Sequence, residues 1–133
     1  MSRRELREQI FKLLFRIEFN KPEEMEEQKD LFFEDEENQA GEKDVAYISK
    51  KYDRIVENLE EIDALINENA ECWTTTRMGK VELTILRLAI YEIKHDDTVP
   101  TSVAINEAVE LSKKFGQDGS ASFVNGVLSQ FAD

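Results

Sequence analysis

One cysteine, Cys72, stands among 133 residues. No internal disulfide can form, and a reducing, cytoplasmic setting is expected. Proline and glycine number only two and five, which leaves few obligatory turns and suits a mostly helical chain. No apolar run approaches the roughly 18 residues of a membrane span. The charged N-terminus lacks the apolar stretch of a secretory signal, so neither a membrane nor export is expected. What is abundant is charge of one sign, 29 acidic against 17 basic residues for a net −12. Such a surface argues against general attraction to nucleic acid or anionic membranes, so any nucleic-acid contact should be local. At this length a single domain is expected, with a core that needs no staple.

The beginning breaks the rule. In "SRRELREQIFKLLFR", Arg3, Arg4, Arg7, Lys12 and Arg16 face only Glu5 and Glu8. Leu6, Ile10, Leu13, Leu14 and Ile17 recur at helical spacing, predicting a helix over 2–19 with Ser2 as N-cap and Glu5 completing a capping box. At about 100° per residue, Arg4, Arg7, Phe11 and Phe15 cluster on one flank, off the main apolar stripe. Pro22 is expected to close this helix. Over 18–44, 12 acidic residues outnumber three lysines. A short helix near 23–37 is expected to bury Met25, Leu31 and Phe32, followed by a loop through Asn38 and Gly41.

Ile48, Tyr52, Ile55, Leu59, Ile62 and Ile66 step by four and three, predicting one long helix with a single apolar seam. "TTTRMG" (74–79) separates an N-terminal sub-bundle, about 2–70, from a C-terminal one, about 75–133. Apolar residues cover most of the circumference of 81–93, which marks a central buried helix. Glu82 and Glu92 fall inside its apolar arc and need partners, with Arg87 or Tyr91 nearest in sequence. "DDTVP" reads as a turn before a helix over 101–115, with Gly116 as a left-handed C-cap. "QDGS" makes a tight turn, and Ser120 is expected to cap a last helix through about Phe131. Gly126 within it costs about 1 kcal/mol against alanine, which suggests close approach of a neighbouring helix.

Catalytic patterns are missing. His95 with Asp96 and Asp97 is a poor metal cluster, because residues adjacent on a turn rarely converge. With Gly41 as turn glycine, a calcium loop would place Tyr47 where the last carboxylate belongs. No phosphate loop, nucleophile elbow or HExxH occurs.

Three stretches go further. "VELTILRLAIYEI" (81–93), "VPTSVAINEAVELSKKFG" (99–116) and "SFVNGVL" (122–128), with the opening "RRELREQIFKLLFRIEF", resemble the NusB family of bacterial transcription antitermination factors. The resemblance covers essentially the whole chain, most clearly from Trp73 to Leu128. It implies an all-α fold of two packed three-helix bundles with about seven helices, and no enzymatic activity, cofactor or metal. It also implies binding of boxA RNA together with NusE, a small-subunit ribosomal protein, within the RNA polymerase antitermination complex. Some members form a homodimer that covers the RNA surface. Carried over, that surface comprises Arg3, Arg4 and Arg7, the turn Gln117, Asp118, Gly119, Ser120 and Ser122, and Phe123 as a stacking ring. Glu5 and Gly119 depart from the family pattern, which often has a basic and an acidic residue there. A basic start suits RNA phosphates and an acidic body suits a basic ribosomal protein. The competing reading is an acidic protein-binding adaptor with solvated arginines.

Overall fold

The computed structural model describes residues 1–70 and 74–132, so Cys72 and Trp73 lie outside the described residues. Among the described residues there are seven α-helices and no strand: α1 Arg3–Phe15, α2 Met25–Glu34, α3 Glu42–Glu57, α4 Leu59–Asn69, α5 Lys80–His95, α6 Thr101–Phe115 and α7 Ser120–Leu128. Short 3₁₀ turns occupy Arg16–Glu18, Pro22–Glu24 and Ser129–Phe131. No helix among the described residues is long and apolar enough to cross a membrane. The chain divides into two compact units, Met1–Arg54 and Ile55–Asp133.

In the first unit, α1 starts where its sequence says it should. Ser2 Oγ accepts from the Glu5 N–H at 3.1 Å, and the Glu5 carboxylate accepts from the Ser2 N–H at 3.0 Å, so two otherwise orphaned donors are satisfied. Ile10, Leu13 and Leu14 are buried, and so is Phe11 on the flank. The helix does not run on to Pro22. It tightens into the 3₁₀ turn after Phe15, and the Asn20 side-chain amide donates to the Arg16 carbonyl at 2.9 Å. Pro22 instead opens the next turn, where its missing N–H costs nothing.

Helix α2 is shorter than expected and buries Met25 and Phe32 but leaves Leu31 48% exposed. Met25 and Phe32, seven residues apart, share one face of the helix, and Leu31 points about 100° away from it. Arg16 donates to the Gln28 carbonyl at 3.1 Å and lies 5.2 Å from the Phe32 ring centroid, which pins the 3₁₀ turn against α2. Lys29 pairs with Asp53 of α3 at 2.8 Å, and the Asn38 amide donates to Gln9 at 3.0 Å. Burial and the neighbouring Asp53 and Glu26 carboxylates push the Tyr52 hydroxyl up to about 12.

The single long helix over 48–66 is two. Asn58 adopts φ −105°, ψ 10° and ends α3 before α4 begins. Asparagine tolerates such backbone, because its polar side chain competes for local hydrogen bonds. The break preserves the apolar register, so Ile55, Ile62 and Ile66 are still fully buried, with Leu59 half-buried.

In the second unit, α5 packs against α4, α6 and α7, as its apolar circumference requires. Every residue from Leu83 to Glu92 is buried. Two of its polar residues find partners far away in sequence. Arg87 forks onto Asp63 of α4, Nε to Oδ1 and Nη2 to Oδ2 both at 2.9 Å. Glu82 accepts from the Ser120 hydroxyl at 3.0 Å, and Glu92, 1% exposed, is also partnered.

The glycines depart from expectation. Gly116 is extended, at φ −92°, ψ −168°. What it supplies is space, since a Cβ there would fall 2.6 Å from both the Ser112 carbonyl oxygen and the Ser120 Cβ. The left-handed residue is Gly119, at φ 90°. Gly126 faces open space rather than a neighbouring helix. Gly126→Ala should therefore stabilise the protein by about 0.5–1 kcal/mol, read as a higher midpoint in urea denaturation.

Candidate nucleic-acid interface

The arginine-rich start lies in the first unit and the 117–123 turn in the second. Along α1, Arg3 and Arg4 are exposed in the first turn, whereas Arg7 is buried at 9% and partnered. The expectation that Arg7 stands clear of the core is thus corrected. Its place, one turn from the buried Ile10 and Phe11, draws its aliphatic stem inward. Lys12 is exposed on the same helix. Hydrogen bonds from the Ser2 backbone N–H and the Ser2 hydroxyl hold the Glu5 carboxyl below its ordinary value. Glu5 stays charged and serves the cap.

Aromatic rings continue from this helix. Phe11 and Phe15 stack with centroids 6.0 Å apart, and Phe15 meets Phe19 edge-to-face at 5.1 Å. Phe11 is core, Phe15 is half-buried and Phe19 is 62% exposed. Phe19 was not among the expected site residues, although it ends the helix expected over 2–19, because those residues followed from the family resemblance. Its only signal in the sequence is the i, i+4, i+8 spacing of three phenylalanines.

The turn is built around Ser120. Its Oγ accepts from the Gln117 N–H at 2.9 Å and donates to Glu82 Oε2 at 3.0 Å. The Ser120 N–H also closes onto the Gln117 carbonyl at 3.0 Å. Ser120 is the first residue of α7 rather than its cap, and the left-handed Gly119 holds the capping position. Ser120 is buried and committed to the turn, while Gln117, Asp118, Gly119 and Ser122 are exposed and Phe123 is half-buried. These residues, except Ser122, join Met78, Gly79 and Glu82 around an open cleft of about 310 Å³. The cleft offers polar edges and one ring, and its lining residues include no cation.

His95 does not assemble a metal site with the following acids. Its Nε2 lies 3.3 Å from Glu61, and Asp96 accepts from the Thr98 N–H and hydroxyl. Among the described residues no three His, Cys, Asp or Glu side chains are grouped to hold a metal ion.

Known proteins match along the chain. The NusB family model covers residues 4–133. The transcription antitermination protein NusB of Agathobacter rectalis is 51% identical over 132 residues, 99% of this chain and 100% of that one. The structure of T. maritima NusB superposes with a TM-score of 0.87 at 34% identity, covering 99% of this chain and 91% of that chain. A crystal structure of the antitermination factors NusB and NusE in complex with dsRNA matches with a TM-score of 0.80 at 29% identity, covering 97% of this chain and 94% of that chain.

Proposed function

This chain belongs to the NusB family of transcription antitermination proteins, and from that premise we propose that it binds boxA-type nascent RNA together with NusE. The complex supports processive transcription of ribosomal RNA operons by RNA polymerase in the cytoplasm. The reading is carried by the match, over nearly the whole chain, to a protein solved with NusE and RNA. The chain acts as a single NusB-like domain, in keeping with a family match uninterrupted from residue 4 to 133. It works by binding and needs no catalytic step, cofactor or metal.

The chemistry of the surface agrees. Exposed Arg3 and Arg4 at the start of α1 supply cations for phosphates, and Arg7 braces that helix from within. The Gln117–Ser122 turn with Phe123 supplies polar groups and a ring for unpaired bases. The acidic side chains of 18–44 discourage unspecific RNA and suit a basic partner such as a ribosomal protein.

With Arg3, Arg4 and Lys12 as the exposed cations of α1, only about three phosphates are neutralised. The slope of log affinity against log salt is then roughly −2 for a single strand, so binding by this chain alone is weak. A filter-binding titration with boxA RNA, with and without NusE, tests the reading. NusE should tighten binding and steepen the slope. Binding of NusE with no contribution from RNA would make the protein an adaptor instead.

A further inference from the structure

The 117–123 turn is held from outside as well as from within. Ser120 closes it twice, its N–H donating to the Gln117 carbonyl at 3.0 Å and its Oγ accepting from the Gln117 N–H at 2.9 Å. The Phe123 N–H donates to the Gly119 carbonyl at 3.0 Å, so the ring rides on the same turn. The bond to the Gln117 N–H depends on which way the Ser120 hydroxyl points. A hydroxyl has one proton to give, and here it goes to Glu82 Oε2 at 3.0 Å. A carboxylate only accepts. Glu82 therefore draws the proton to its own side and turns a lone pair of Ser120 Oγ toward Gln117.

Space is left on both sides of this relay. A Cβ on Gly79 would take the place of Glu82 Oε1, and a Cβ on Gly116 would fall 2.6 Å from the Ser120 Cβ. Two glycines thus let α5, the end of α6 and the start of α7 close on one hydroxyl. Gly79 is the N-cap of α5 and has no side chain to share a reciprocal cap with Glu82, the third helical residue. The carboxylate is half-buried and lines the same cleft as Gln117 and Phe123. As a direct contact for RNA it is out of place, since it repels phosphate. As an internal acceptor it fits.

We propose that Glu82 is a positioning residue for RNA recognition. Through Ser120 it fixes the Gln117–Gly119 turn and the start of α7, and the fixed turn presents its polar edges and Phe123 to an unpaired base. This rests on the RNA-binding reading above. A turn already held in its binding shape loses less freedom when RNA arrives. Without the carboxylate only a fraction of molecules has the competent turn, and apparent affinity falls by that fraction. A carboxylate in the first turn also suits the dipole of α5, but that role alone would leave the turn unchanged.

The test combines titrations of single-stranded boxA RNA, with NusE present, and hydrogen exchange of the Gln117 amide in the free protein. Glu82→Ala should weaken RNA binding roughly 10-fold and speed exchange at Gln117. Glu82→Gln should stay near wild type in both, because its amide oxygen still accepts from Ser120. In a Ser120→Ala background, Glu82→Ala should bring no further loss. Wild-type affinity in Glu82→Ala, or a loss that Glu82→Gln does not restore, would overturn the inference and leave the proposed function standing. A loss of RNA affinity with unchanged Gln117 exchange would overturn it too, by making Glu82 a direct contact. So would a Glu82→Ala defect in NusE affinity measured without RNA. Failure of the wild-type protein to bind boxA RNA under any of these conditions would instead remove the RNA reading on which the inference rests.

Discussion

Ile90→Asp is expected to prevent folding. Ile90 is 0% exposed in the middle of α5, the helix against which α4, α6 and α7 pack. An aspartate there must bury a charge or take up a proton, and either course is costly without a partner. The cation one turn away is committed, since Arg87 forks onto Asp63. A loss of about 3 kcal/mol or more is expected, a large share of the roughly 5–15 kcal/mol that holds a domain of this size. Far-ultraviolet circular dichroism and a thermal melt check it. A helical spectrum with an unchanged melting temperature would show that α5 is not the centre of its unit.

Reversing Arg3 and Arg4 together to glutamate should abolish boxA binding and leave the melting temperature nearly unchanged. Both side chains are exposed in the first turn of α1, where negative charge favours the helix dipole. Stability therefore has no reason to fall. RNA binding loses two of about three phosphate contacts and gains repulsion, which should lower affinity by roughly 100-fold or more. Arg7 is left out of this variant because it is buried, and Arg7→Glu would confound the reading by destabilising the protein. Lys43 and Lys50, both exposed on α3, are the control. Equal loss from reversing those two would mean diffuse attraction rather than a site on α1.

Short-range features were legible in the sequence. The Ser2–Glu5 capping box and the apolar circumference of 81–93 depend on residues three or four apart, and both recur in the structure. Features set by distant packing were not. The Glu82–Ser120 and Arg87–Asp63 partners lie 38 and 24 residues apart, beyond any local pattern. The break at Asn58 kept the apolar register on either side and so left no mark in the periodicity. Glycine was read correctly as punctuation, but the left-handed turn fell at Gly119 rather than Gly116, because Gly116 answers to crowding from Ser112 and Ser120. At the candidate interface, sequence spacing placed the arginines on one flank but could not say which of them the fold would cover. Phe19 shares a helical-wheel flank with Phe11 and Phe15, but spacing alone did not say that its ring stays exposed.

Cooperation between RNA and NusE is the claim on which the functional account stands, and calorimetry of this protein with NusE, with and without boxA RNA, measures it directly. Linkage requires RNA to tighten the protein pair by the same factor by which NusE tightens RNA. The account requires a higher NusE affinity when boxA RNA is present, matching the gain seen in the RNA titration. NusE affinity that is identical with and without RNA would contradict it.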